Sequence, residues 1–214
     1  MNQYHKIQSV FKRDPDTKYK TLLEGEFSLP EFEYLKDNEW IFTEKIDGTN
    51  IRVMFTGDEI LFGGKTEKAQ LPPNLTNNLM KEFFPKLDLF KDTFDSDMIK
   101  EIGVCFYGEG YGGKIQKGGK YKKEEGFVLF DIKIGKFWLQ RKDLEKIAIN
   151  FDIEIVPIIG SGTLLDMIEM MRKGFTSKWG MFAAEGIVAR PAIEFKARNG
   201  ERIITKIKYK DFLR

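Results

Sequence analysis

Residues 51–55 alternate with a period of two, so that every second side chain belongs to one hydrophobic face. In the stretch IRVMF, Ile51, Val53 and Phe55 share one face, which predicts a half-buried strand. Gly57 and Asp58 follow this stretch and lead directly into EILFG, a pattern that is typical of a hairpin. The sequence therefore predicts two antiparallel strands here.

Apolar runs bounded by polar residues and glycines predict further strands. These runs are WIFTEKI, IGVCFY, FVLFDIKI, KFWLQ, IEIVPII, GIVAR and RIITKIK, and the third and fourth are expected to form a hairpin around Gly135. Because the connections are short and several strands are joined by hairpins, we expect a largely antiparallel sheet. The predicted fold class is α+β.

Apolar residues at helical spacing predict helices over residues 75–84, 141–150 and 163–173. Asn74 or Thr76 is expected to cap the first helix, and Gly174 is expected to end the last one. Residues 1–38 are polar and rich in turn signals, which predicts an irregular lead-in with one short helix.

Composition narrows the class of protein. A chain of 214 residues, 42% hydrophobic and with 19 Phe, is long and apolar enough to bury a core. Its net charge of only +2 means that nucleic-acid binding would depend on local positive charge. The single cysteine, Cys105, excludes an internal disulfide framework, and the single histidine, His5, excludes a zinc site built on several histidines. Without an apolar signal core or a bilayer-length run, we expect a cytoplasmic protein with no membrane partner.

The segment EKIDGTN is the strongest candidate for chemistry. It puts Lys45 at the end of a predicted strand, directly before an Asp47-Gly48 turn. A lysine exposed there could act as a nucleophile once it is deprotonated. Asp-Gly is also a common hairpin turn, so the residues alone leave both interpretations open.

A glycine-rich segment with a carboxylate follows the strand IGVCFY. Gly108, Gly110 and Gly113 match G-x-G-x-x-G, but the dinucleotide fingerprint needs a helix directly afterwards, and a lysine- and glycine-rich loop follows instead. Glu109 remains as a carboxylate suited to a ribose hydroxyl or a metal, or as a solvated loop residue. The loop itself carries Lys114, Lys117, Lys120, Lys122 and Lys123, interleaved with Tyr111 and Tyr121. This mixture suits a nucleic-acid backbone with stacked bases, although a solvated loop has the same composition.

Near the C-terminal end, Glu185 opens the apolar strand GIVAR, and Lys206 and Lys208 share one face of the last strand. Two such lysines could neutralise phosphate oxygens. They could also protect an edge strand.

In this order, these segments resemble the motifs of the covalent nucleotidyltransferase superfamily of DNA ligases, RNA ligases and capping enzymes. The nearest likeness is to the RNA ligase 2 type, the phage nick-sealing and RNA-editing ligases. It is carried by EKIDGTN, YGEGYG, the FDI that begins at Phe130, AEGIVARP and ITKIK, and it runs from Trp40 to Phe212. Glu109 and Lys206 follow Lys45 by 64 and 161 residues, spacings similar to those of the family.

The resemblance implies an ATP-grasp-like nucleotidyltransferase domain over residues 39–214, with residues 1–38 as an N-terminal extension packed on it. A C-terminal OB or helical domain is not expected. It further implies an ATP-dependent RNA ligase: Lys45 attacks ATP to form lysyl-AMP, AMP passes to a 5′-phosphate end, and a 3′-hydroxyl displaces it.

The same resemblance implies a role for each site residue. Glu185 would help bind Mg²⁺ or Mn²⁺, and Lys206 and Lys208 would hold phosphate. Glu109 would bind the ribose, and Phe130 would stack on adenine. The backbone of Glu44, with Ile46, would contact the nucleotide, Asn50 and Lys65 would face the phosphate and the incoming end, and the nucleic acid would lie on Lys65, Lys114, Lys117 and Lys120. Lys65 stands at a position where relatives carry Arg. The lysine keeps the positive charge, but it cannot form the two parallel hydrogen bonds of a guanidinium.

The expected partners are RNA ends or a nicked duplex, together with a partner protein that supplies a further C-terminal surface. The expected compartment is the cytoplasm, or the host cytoplasm if the protein is phage-encoded. Two alternatives stay open. One is a DNA ligase or capping-type guanylyltransferase, and the other is an inactive domain that binds RNA ends or nucleotide.

Overall fold

A computed structural model describes residues 3–213, which form two compact units. Unit 1 contains residues 3–4 and 47–156, and unit 2 contains residues 5–46 and 157–213. The chain passes from unit 2 into unit 1 directly after Ile46, and it returns at Pro157. Each unit is built on its own five-stranded sheet.

The strands are β1 (Gln8–Ser9), β2 (Phe11–Arg13), β3 (Leu22–Phe27), β4 (Trp40–Lys45), β5 (Thr49–Phe55), β6 (Ile60–Gly63), β7 (Val104–Tyr111), β8 (Gly126–Ile134), β9 (Phe137–Trp138), β10 (Ile158–Gly162), β11 (Gly186–Pro191) and β12 (Thr205–Lys208). The helices are α1 (Pro30–Tyr34), α2 (Pro73–Phe83), α3 (Leu87–Thr93), α4 (Ser96–Ile102), α5 (Arg141–Asn150) and α6 (Leu164–Lys173). Short 3₁₀ turns cover Phe84–Lys86, Gly118–Lys120 and Tyr209–Asp211.

The sheet of unit 2 has the order β1-β12-β11-β4-β10, with β2 and β3 forming a separate antiparallel ribbon. Only the β1–β12 pair is parallel within this sheet. Alternate residues of its strands are buried in a core that also takes residues of α6; the members include Trp40, Phe42, Ile187, Ile207, Met167 and Met171. Since successive strand residues point to opposite faces, the intervening positions are left for polar side chains.

The sheet of unit 1 has the order β6-β5-β7-β8-β9 and is antiparallel throughout. One of its faces packs on residues of α2, α3 and α5; the members of this core include Ile51, Val53, Phe106, Leu129, Leu79, Phe90 and Phe151. The other face carries the polar residues of β5, β7 and β8.

The structure confirms the α+β class, the largely antiparallel pairing and both predicted hairpins. The helix over 163–173 is also correct: Thr163 caps α6 through a reciprocal bond with Asp166, and Gly174 follows its last residue. The division into residues 1–38 and 39–214 stays a prediction.

Three predictions of local structure are wrong. Residues 1–38 are not irregular, because they contain β1, β2 and β3 as well as α1. The first long helix is present, but it begins at Pro73, and its N-cap is Pro72 rather than Asn74 or Thr76. Proline suits the first helical turn, where no amide donor is needed. The run IEIVPII forms a strand only from Ile158 onward, because Ile155 makes only an isolated parallel bridge with Leu129 and Pro157 has no amide to donate.

Candidate active site

Strand register in unit 2 brings two of the candidate lysines into one row. Lys45 on β4 lies opposite Gly186 on β11, which in turn lies opposite Lys208 on β12. Directly opposed residues of antiparallel strands project to the same face. A Cβ at Gly186 would overlap the carbonyl oxygen of Ile207, so glycine lets these strands approach where the two lysines flank it.

Glu185 links the two lysines. Its Oε2 lies 2.6 Å from Lys45 Nζ and its Oε1 lies 2.6 Å from Lys208 Nζ, so each carboxylate oxygen accepts from one ammonium. Lys45 Nζ also donates to the carbonyl of Ile46 at 3.1 Å. All three charged side chains are largely shielded from solvent, that of Glu185 being 14% exposed. Two positive charges and one negative charge leave a net positive centre, which favours an anion such as phosphate.

Lys206 lies on the same face as Lys208, as the sequence predicts. It is opposite Val188 on β11 and is partly exposed. The backbone amide of Lys208 donates to the carboxylate of Asp211, and Nη2 of Arg13 lies 3.0 Å from both oxygens of that carboxylate. This network fixes the end of β12 next to Glu185.

Glu44 occupies the opposite, buried face of β4 and is 1% exposed. Its carboxylate accepts hydrogen bonds from Ser177 Oγ at 2.6 Å and from the amide of Lys178 at 2.9 Å. Burial raises the pKa of the Glu44 carboxyl despite these bonds, because desolvation penalises the charged form. The side chain therefore ties the segment after α6 to β4, a structural contact that sequence reasoning missed. The side chain of Ile46 is buried as well, so its backbone is the part of this residue that could contact a ligand.

In unit 1, Glu109 on β7 lies opposite Asn50 on β5. The glycines on either side of Glu109 face the core: a Cβ at Gly108 would overlap the ring of Phe127, and one at Gly110 would lie 2.6 Å from a methyl group of Leu75. These glycines thus let β7 lie close to the core while Glu109 projects from the other face. Packing thus explains the first two glycines of the G-x-G-x-x-G pattern, and the third, Gly113, has a φ of 52° that favours glycine.

Asn50 offers an open hydrogen-bond acceptor. Its Oδ1 is buried, and within residues 3–213 no hydrogen-bond partner reaches it. A buried polar atom of this kind costs stability unless a ligand or water satisfies it. Because Asn50 and Glu109 share a face, the pair could bind hydroxyl groups of a ligand.

Phe130 is the extra residue of a β-bulge in β8. Tyr107 pairs with Asp131, but the next residue, Gly108, pairs with Leu129, which leaves Phe130 unpaired between them. Bulges redirect side chains, and Phe130 is only partly buried and lies outside the apolar core. The ring of Tyr4 meets it edge-on at 5.0 Å.

Lys65 is exposed and follows Gly64. The carbonyl of Gly64 accepts a hydrogen bond from Arg52 Nε at 2.9 Å, and Arg52 is only 3% exposed. Arg52 lies on the same face of β5 as Asn50. The alternation of β5 explains why Arg52 lies opposite the face of Ile51 and Val53, but the sequence does not identify the carbonyl that this arginine holds.

The lysine-rich loop is folded on itself. Lys114, Lys117 and Lys120 are exposed, as a nucleic-acid surface requires. The two tyrosines are not exposed: Tyr111 is fully buried and Tyr121 is 9% exposed. The suggestion that these rings stack on bases is therefore wrong, because both rings pack inward and contact each other at 5.9 Å.

The residues of the site do not form a ready-made metal cage. Within residues 3–213 no group of three or more His, Cys, Asp and Glu side chains is arranged to hold a metal ion. Mg²⁺ commonly takes one or two carboxylates and completes its shell with water and substrate phosphates, so the single carboxylate of Glu185 fits such an ion.

No helix in the described part of the chain has the length and apolar character to cross a bilayer.

Of the candidate residues, Glu44, Lys45, Ile46, Glu185, Lys206 and Lys208 belong to unit 2. The others, Asn50, Lys65, Glu109, Lys114, Lys117, Lys120 and Phe130, belong to unit 1. Within each unit, the structure brings together residues that are far apart in the sequence.

Comparison with known proteins gives both a family and a similar fold. The model of the RNA ligase family matches residues 38–209, so the chain belongs to the RNA ligase family. Solved structures of Naegleria gruberi RNA ligase have a similar fold. The structure with PPi has a TM-score of 0.69 at 17% identity and covers 100% of this chain and 57% of that one.

Two further structures of the same protein agree. A mutant in its apo form has a TM-score of 0.66 at 15% identity and covers 100% of this chain and 59% of that one. A mutant with ATP and Mn has a TM-score of 0.64 at 18% identity and covers 84% of this chain and 52% of that one. The chain thus spans little more than half the length of these proteins. At such identities the likeness establishes the fold, a nucleotidyltransferase fold of the ligase type.

Proposed function

We propose that this member of the RNA ligase family is an ATP-dependent RNA ligase that works through a lysyl-AMP intermediate on Lys45. The observation that carries the proposal is the cluster in which Glu185 binds both Lys45 and Lys208 at 2.6 Å. It combines a primary amine, a carboxylate and a second cation in one cluster with a net positive charge. The similar Naegleria protein has been solved with ATP and Mn and with AMP and Mn, which supports the choice of nucleotide and metal.

In the first step the nitrogen of Lys45 attacks the α-phosphorus of ATP. A nitrogen–phosphorus bond forms, the bond from that phosphorus to the bridging oxygen breaks, and pyrophosphate leaves. The attacking amine must first lose a proton, which passes to solvent, so that its lone pair can reach the phosphorus. Glu185 binds Lys208 through its other oxygen, and a divalent cation bound to this carboxylate would loosen its contact with Lys45.

Positive charge then has to offset the charge of the phosphates. Lys208 and Lys206 lie on the face of Lys45, where they can contact the phosphate oxygens as charge moves to pyrophosphate. A bound Mg²⁺ or Mn²⁺, held by Glu185 and the phosphates, would polarise the phosphoryl group. Protein groups in such transfers mainly position and neutralise.

Residues of unit 1 would bind the nucleoside and the RNA. Phe130 would stack on adenine, and Glu109 and the acceptor of Asn50 would bind ribose hydroxyls or the incoming end. Lys65 and the exposed lysines of the loop, Lys114, Lys117 and Lys120, would bind the phosphate backbone of RNA ends or a nicked duplex. Such contacts make RNA affinity fall with rising salt.

The test is covalent labelling. Incubation with [α-³²P]ATP and Mn²⁺ should leave label on the protein after denaturation, whereas [α-³²P]GTP should leave none. The labelled protein should then pass AMP to a 5′-phosphorylated RNA and join it to a 3′-hydroxyl strand. Labelling by GTP would indicate a capping-type enzyme, and joining of DNA strands alone would indicate a DNA ligase. Absence of any adduct would leave a nucleotide-binding or RNA-end-binding domain.

A further inference from the structure

The lysine-rich loop between β7 and β8 is built as a compact element. The amide of Gly113 donates to the carbonyl of Lys122 at 3.0 Å, and that of Gly118 donates to Ile115 at 2.7 Å. A Cβ at Gly118 would overlap the backbone of Gly112, so the loop closes with backbone against backbone. Its buried residues, Ile115 and Tyr121, therefore have defined positions, while Lys114, Lys117 and Lys120 are exposed.

Tyr121 reaches out of this loop to the turn that begins two residues after Lys45. The backbone amide of Asp47 donates to the Tyr121 hydroxyl oxygen at 3.1 Å. The same turn is packed on β7, because a Cβ at Gly48 would lie 2.7 Å from Cγ of Glu109 and would overlap the carbonyl of Gly110. Within unit 1 the turn is thus held from two sides, by β7 and by the loop.

We propose that Tyr121 is a positioning residue for adenylation, a role that rests on the proposed function of Lys45. By accepting the Asp47 amide, its hydroxyl fixes the first turn of unit 1 and so the point at which the chain leaves Lys45. Small displacements of a reacting group lower rates strongly, so one hydrogen bond on this turn has a measurable effect on the chemical step. Tyr121 touches neither nucleotide nor RNA in this role.

The test compares Tyr121→Phe with Tyr111→Phe. Both changes remove one phenolic hydroxyl from the same pair of packed rings, but the Tyr111 hydroxyl donates to the carboxylate of Glu154, whereas the Tyr121 hydroxyl accepts from the amide of Asp47. At saturating ATP, Tyr121→Phe should lower the single-turnover rate of self-adenylation by about 3- to 10-fold, the worth of a neutral hydrogen bond. The ATP concentration at half-maximal rate and the RNA affinity should stay at wild-type values, and the melting temperature should fall by a similar small amount in both variants, since each loses one hydrogen bond.

Tyr111→Phe should adenylate at the wild-type rate. Equal rates for the wild type and Tyr121→Phe would overturn the proposal, and so would an equal loss in both variants, which would point to general weakening of the loop. Amide hydrogen exchange at Asp47 provides a second readout that needs no activity. Exchange there should be faster in Tyr121→Phe only, and unchanged exchange overturns the proposal even if the wild-type protein forms no adduct.

Discussion

The two units carry candidate residues of different physical character. In unit 2, charged groups lie in direct contact, with Glu185 between Lys45 and Lys208. In unit 1, packing and backbone geometry set the site: a bulge displaces Phe130 and an acceptor of Asn50 is left buried. The comparison teaches that the unit 2 cluster should respond chiefly to changes of charge, and the unit 1 face chiefly to changes of shape.

The largest effect is expected for Lys45→Ala, which should abolish covalent labelling by ATP. No other primary amine of the cluster sits at the Asp47-Gly48 turn, and Lys45→Arg should fail as well because a guanidinium stays protonated. Labelling is measured on denaturing gels, beside a melting curve that checks folding. Lys12→Ala is a matched control, since Lys12 forms an exposed ion pair elsewhere in unit 2. Label that survives at position 45 variants would move the nucleophile to another residue.

Lys208→Ala and Lys206→Ala should reduce the adenylation rate by about 10²-fold, the usual cost of removing one group that stabilises developing charge. Lys208→Ala also frees one oxygen of Glu185, so its effect should exceed that of Lys206→Ala. Rates are measured at saturating ATP, with thermal stability as the check on folding. Wild-type adenylation in both variants would remove these lysines from the site, since β12 is paired on both sides and is not an edge strand that they could protect. It would also weaken the contrast between the units.

Phe130→Ala should raise the ATP concentration needed for half-maximal labelling, because a stacked ring contributes about 1–3 kcal/mol. The rate at saturation should change much less. Since Phe130 lies outside the apolar core, the melting temperature of the Phe130→Ala variant should remain near that of the wild type. Phe106→Leu serves as the opposite control, as Phe106 is fully buried and its loss should lower stability. A Phe130 variant that melts early with unchanged ATP affinity would assign this ring to packing.

The smallest effect concerns the pH dependence of stability through Glu44. Burial raises the pKa of its carboxyl above the ordinary value of 4.5. The folded protein therefore holds this proton more tightly than the unfolded chain, which adds to the free energy of unfolding at low pH. That contribution is lost as the pH rises through the folded-state pKa of Glu44. Relative to Glu44→Gln, the wild type should become less stable as pH is raised from 4 towards neutrality. Melting temperatures of the two proteins across this range provide the measurement, and a constant difference would contradict the prediction.

Local pattern alone was enough to identify much of the fold. Alternation over Ile51, Val53 and Phe55 marks the buried face of β5, and helical spacing marks α5 and α6. The positions of Lys45, Glu109 and Lys206 along the chain also pointed to the family that the comparison establishes. These features are readable because strand and helix periodicity follows from backbone geometry within a few residues.

Only the tertiary structure decided which side chains meet. Glu185 lies 140 residues from Lys45 in the sequence, and their contact depends on the pairing of β4 with β11. The bulge at Phe130 depends on register with β7, and the inward turn of Tyr121 depends on the packing of a loop whose composition suggested exposure. Register, bulges and burial are set by the partner that a segment finds across the fold, and a single strand's pattern holds no information about that partner.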